Sequence, residues 1–165
     1  MDLFEAIEAR RSVRAYLSKP ISRVDLEKIV DAGRKAPTGR NEQPWEFVVV
    51  TDMYTRQNIA ELTTYGKYIA DAAACIAVFC RGNTPYFLED GAAATENILL
   101  AATALGIGSC WVAADKAPYA QNIADLLGAP ETHRLVTLVA LGYPSEEPPR
   151  KPRRPLSEVL HWETW

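Results

Sequence analysis

Three arginines crowd one serine in RRSVRAY (Arg10–Tyr16), and a second basic run, PRKPRRP, occupies residues 149–155. The formal net charge is −3, which argues against the broad basic surface of a nucleic-acid binder, so each cluster needs a local explanation. Between them, APTGRNEQPW (Ala36–Trp45) sets Thr38, Asn41 and Gln43 among two prolines. Such hydrogen-bonding groups on a stiff backbone suit a flat, polar heterocycle. Plainer readings stand beside these: arginines after a helix can complement its dipole, loop amides can satisfy a turn, and a Lys/Arg run can be a solvated face.

Several other chemistries lack their residues. Gly106-Ile107-Gly108 has no third glycine and precedes a strand, and no GxxxxGK[ST] or HExxH occurs. His133 and His161 are the only histidines, one opening a strand and the other near the C-terminus, a poor basis for a Ser-His-Asp site. Cys75, Cys80 and Cys110 are an odd number, two of them in apolar runs, and read as buried thiols rather than a disulfide framework or zinc site.

The positioning elements follow from the hydrophobic pattern. A chain of 165 residues, 48% hydrophobic and 24% charged, has the composition of one globular domain. DLFEAIEAR places Leu3, Phe4 and Ile7 on one helical face. Ser22, with Asp25 three residues on, opens a helix whose stripe is Leu26, Ile29, Val30 and Gly33, closed by Pro37. WEFVVVT (45–51), AACIAVFC (73–80), IGSCWVAA (107–114) and HRLVTLVALGYP (from His133) read as strands, the last of them central. A helix is expected after Met53, a short one in PYAQNIADLLG, and one of about four turns from an Asp90 N-cap to Gly106. The last is apolar nearly all round, and Gly91, Ala92, Ala93 and Ala94 would let another backbone approach, as at a subunit interface. The expectation is an α/β domain over residues 1–144. Residues 145–165 would form its arm, extended by prolines and tipped by Leu156, Val159, Leu160, Trp162 and Trp165, which must dock somewhere. With no basic leader before an apolar run and no membrane-length apolar stretch, the chain reads as cytoplasmic.

In order and across nearly the whole length, RRSVRAY, APTGRNEQPWEFVVV, DGAAATENILLAATALGIGSCWV, LVALGYP and KPRRPLSEVLHW resemble the FMN-dependent nitroreductase family. The resemblance implies a nitroreductase-like three-layer α+β sandwich, with a mixed, mostly antiparallel sheet flanked by helices. It implies a homodimer with two FMN sites at the interface and a C-terminal arm over the partner. By resemblance, Arg10, Arg11 and Ser12 lie along the phosphate and ribityl chain, joined by Lys151 and Arg153 from the tail, with Arg14 near the pyrimidine end of the ring. Pro37, Thr38 and Asn41 touch the other subunit's flavin, and Trp111, Val112 and Ala113 approach the ring edge mainly through backbone. Lys67 is a further candidate cation.

The activity so implied is NAD(P)H-dependent, with ping-pong hydride transfer through FMN N5 from NADH or NADPH to a nitroaromatic, quinone or similar flat acceptor, and with no catalytic side chain, metal, membrane or nucleic-acid partner. The alternatives are a flavin-fragmenting or dehalogenating relative, a non-catalytic flavin-binding or storage module, and a basic-arm interaction protein without cofactor. The short stretch between Cys80 and Asp90 implies an open site.

Overall fold

A computed structural model of the chain describes residues 1–165. Helices α1 (Leu3–Ala9) and α2 (Arg23–Gly33) precede strand β1 (Trp45–Val50); α3 (Met53–Leu62), β2 (Ala74–Arg81), α4 (Phe87–Ala104), β3 (Gly108–Ala113), α5 (Ala120–Leu126) and β4 (His133–Gly142) follow. The four strands form one sheet in the order β1-β2-β4-β3, antiparallel throughout. The parallel component is confined to a single bridge between Ser12 and Ser109 at the outer edge of β3.

Strand alternation divides the core into two layers. In β2, Ala74, Ile76 and Val78 face α2 and α4, meeting Leu26, Ile29, Ile98 and Leu99. Cys75, Ala77 and Phe79 face the opposite layer, with Ile59 of α3 and Ile123 of α5. Helices on both faces leave the two central strands almost without solvent contact, as their apolar runs require. Pairing shifts between Val78 and Phe79, so that β4 bulges at Val136. All three cysteines are buried.

Two expectations need correction. α4 starts at Phe87 behind Tyr86, which makes no side-chain cap, so Asp90 is not the N-cap but lies inside the first turn. Its carboxylate is engaged by Gly39, 51 residues away in sequence, a contact no local pattern reveals. Of the four small residues of α4, two admit the sheet rather than a foreign backbone: a Cβ on Gly91 would stand 2.9 Å from both Val136 methyls, and Ala94 is fully buried, whereas Ala92 and Ala93 are half-buried. By contrast, the stripe of α1 is unpartnered within the chain: Leu3, Phe4 and Ile7 are exposed and only Ala6 is buried.

Candidate functional site: a cationic groove, a strained loop and a strand end

The arginine segment is clipped to the sheet by its backbone. Val13 N–H donates to Ser109 O (2.9 Å), Leu17 N–H to Tyr143 O (2.8 Å) and Ser145 N–H to Ala15 O (3.1 Å). Gly108 and Gly142 face each other across β3 and β4, and together they make the notch this crossing needs. A Cβ on Gly108 would lie 2.8 Å from Val13 Cγ2, and one on Gly142 2.6 Å from Tyr16 Cδ1. With Val13 buried and Tyr16 half-buried, Arg14 between them turns outward.

Arg14 is held by neighbours on its inner side. Its Nη1 donates to Ser12 O (3.4 Å), and its guanidinium lies 5.8 Å from the centre of the Tyr68 ring. Tyr68 Oη shares a hydrogen bond with Cys110 Sγ (3.0 Å), and Tyr16 Oη donates to Val13 O (2.6 Å). Burial raises both tyrosine hydroxyls well above the ordinary phenol value, so both are neutral hydrogen-bonding groups. Tyr68 is a neighbour that its sequence context, YGKY, did not single out. Lys67 turns away, donating from Nζ to Glu61 O (2.9 Å) beside the end of α3.

The two chain ends meet here in a groove of about 720 Å³ lined by Arg10, Arg11, Ser12 and Arg14 from the N-terminal segment and Arg150, Lys151 and Arg153 from the tail. Six cations thus face one carboxylate, Glu8, in a chain that is acidic overall. Self-pairing is incomplete: Arg10 Nε lies 3.8 Å from Glu96 Oε1, and Arg11 Nη1 donates to the Glu8 and Arg10 carbonyls. Such a density of like charge around one hollow suits a ligand carrying more than one negative charge. All six of the cation-cluster residues singled out from the sequence converge in it, and Arg150 joins them.

Pro37, Thr38 and Asn41 do not line this groove. They belong to a loop at the end of α2 whose backbone is left-handed at three non-glycine residues, Arg40 (φ 56°), Asn41 (57°) and Gln43 (47°). Each such residue costs about 1–2 kcal/mol, with asparagine at the low end. The loop is nonetheless held at both ends, because Ala36 and Trp45 are buried in one cluster with Ala94 and Val136. Gln43 N–H donates to Thr38 Oγ1 (3.2 Å), and Arg81 Nη2 donates to Glu42 O (2.8 Å). Thr38 is half-buried, while Pro37, Arg40 and Asn41 are exposed.

At the end of β3, the Trp111 side chain is half-buried against the α2/α4 layer and Val112 is buried in the opposite one. Val112 can therefore reach a ligand only by its backbone. Ala113 is exposed, and its carbonyl accepts the Tyr119 hydroxyl (2.9 Å). The following turn is fixed by Asp115, paired with Arg134 at 2.8 Å.

A four-stranded antiparallel sheet between helical layers, with a polycationic groove between the N-terminal segment and the tail, defines an α/β protein with one concentrated cationic site. The model of the nitroreductase family matches residues 7–77 and 64–143. A protein of Archaeoglobus fulgidus, provisionally named an NADH dehydrogenase/NAD(P)H nitroreductase, is 40% identical over 152 residues, covering 88% of this chain and 87% of its own. The NADPH-flavin oxidoreductase of Vibrio harveyi is 30% identical over 95% of this chain and 72% of its own. An FMN-dependent nitroreductase structure from Clostridium difficile superposes with a TM-score of 0.90 at 26% identity, covering 98% of this chain and 99% of that one. The chain belongs to the nitroreductase family.

Proposed function

We propose that the protein is an FMN-dependent NAD(P)H oxidoreductase that works as a homodimer with two interfacial flavin sites. The observation that carries this reading is the groove in which Arg10, Arg11, Ser12 and Arg14 meet Lys151 and Arg153. Its donor set fits FMN: arginine forks match phosphate oxygens, and a serine hydroxyl suits the phosphate or ribityl oxygens. Arg10, Arg11, Lys151 and Arg153 would hold the phosphate and Ser12 the ribityl chain. Arg14, permanently charged, would stand at the pyrimidine end of the ring, where it favours the negative charge of the reduced form. Backbone groups of Trp111, Val112 and Ala113 would meet the ring edge. When bound, FMN would supply the redox chemistry, a ping-pong hydride transfer through N5 from NADH or NADPH to a nitroaromatic, quinone or other flat acceptor.

Pro37, Thr38 and Asn41 would come to each site from the partner. The exposed stripe of Leu3, Phe4 and Ile7 and the arm, residues 145–165 with its five exposed large apolar side chains at Leu156, Val159, Leu160, Trp162 and Trp165, support the dimer, because each such side chain gains about 1.5–3 kcal/mol when covered. Purified protein should be yellow, or should become so with added FMN, and anaerobic NADH or NADPH should bleach it. A flavin band that neither nucleotide bleaches would leave a binding module and overturn the oxidoreductase reading.

A further inference from the structure

One buried carboxylate holds the start of the strained stretch. Asp90 is 5% exposed, and its Oδ1 accepts the Gly39 N–H at 3.1 Å. None of the chain's ion pairs includes Asp90. Its position in the first turn of α4 gives it the positive end of that helix as company. Gly39 is walled in on its other side by Tyr86, the residue just ahead of the helix; a Cβ there would meet the ring at 2.7 Å. Immediately after Gly39 come the left-handed residues Arg40 and Asn41. The start of α4 thus grips the loop at the one point from which the strained stretch departs.

We infer that Asp90 is a positioning residue for the flavin of the partner subunit: by holding Gly39 it keeps the loop in the conformation that offers Thr38 and Asn41 across the interface. This rests on the flavin reading above. A carboxylate buried for a purely internal purpose would stabilise a relaxed turn; here it stabilises a turn that its own residues disfavour, and the exposed side chains of Arg40 and Asn41 make no ion pair or hydrogen bond within the chain. Without the grip the loop relaxes, only a fraction of it remains competent, and the apparent affinity falls by that fraction.

The test compares full-length wild type, Asp90→Asn and Asp90→Ala by three readouts: FMN titration, amide hydrogen exchange of residues 37–43, and mass in solution. Asp90→Ala should speed exchange at Gly39 and its neighbours and raise the FMN dissociation constant roughly tenfold with the dimer intact. Asp90→Asn keeps an acceptor oxygen and should stay within about threefold of wild type. Tyr86→Ala, which removes an exposed ring, loosens the same point without opening the core and should act in the same direction by a smaller factor; it decides the matter if Asp90→Ala does not fold. Unchanged loop exchange in these variants, or faster exchange with unchanged FMN affinity, overturns the inference while leaving the flavin reading intact. A wild type that binds no FMN overturns the flavin reading itself, and the inference with it.

Discussion

The two cationic segments of the groove are built in opposite ways. Arg10–Tyr16 is fastened to the sheet by backbone hydrogen bonds on either side, sunk into a two-glycine notch, and braced beneath Arg14 by Tyr68 and Cys110. The tail carrying Arg150, Lys151 and Arg153 is exposed from residue 149 to the C-terminus, and its one helical turn, Leu156–Glu158, buries nothing. On the proposed reading, half of the site is set when the chain folds, and half is set only when a partner covers the tail. An anion site assembled from a half packed on the sheet and a half on an exposed arm would couple ligand binding to association.

The largest expected effect breaks the half on the arm. Removing residues 155–165 takes away the apolar end of the arm but no groove cation, and should weaken dimerisation by at least about a hundredfold, seen by sedimentation, with FMN affinity falling alongside. Next comes the half packed on the sheet. Gly142→Val drives a side chain into Tyr16 and should cost about 1–3 kcal/mol in urea unfolding while misplacing Arg14. Charge removal sharpens the contrast: Lys151→Ala should weaken FMN several-fold, and less so as salt rises, because its side chain is solvated. Arg14→Met should instead lower the ratio of reduced to oxidised FMN affinity by about tenfold, read as a shift of the midpoint potential. The smallest effect at neutral pH lies in the core. Burial pushes the Cys75 and Cys80 thiols from 9.0 up to about 12, in Cys80 with a second push from the nearby Asp90. The folded chain then holds protons that the unfolded chain releases, so this contribution is whole below about pH 9 and is lost as pH rises towards 12. Alkylation of both thiols should be negligible in the folded protein at pH 8 and complete in denaturant.

The strands were legible to within a residue or so at most ends, because a chain segment buried on both faces must read as an unbroken apolar run. The capping serine of α2 was legible too, its side chain accepting from Asp25 N–H. The start of α4 was not, since Asp90 resembles a cap locally but is spent on Gly39. In the site, the cations were legible as residues out of keeping with the charge of the chain, and their meeting in one groove followed from the family resemblance. The supports were not: Tyr68, Cys110 and Asp90 act through contacts of 42 or more residues in sequence separation, or through a ring facing a guanidinium, and neither leaves a spacing to read.

That each site draws on two chains is tested most directly by complementation. One chain carries Arg11→Ala with Arg14→Met, its partner Thr38→Ala with Asn41→Ala, and the two are co-expressed and purified as a mixed dimer. If the sites are shared, each homodimer binds FMN poorly, while the mixed dimer regains one tight site, the one whose cations and loop are both intact. If every site is built within a single chain, the mixed dimer recovers none, and the shared-site account is wrong.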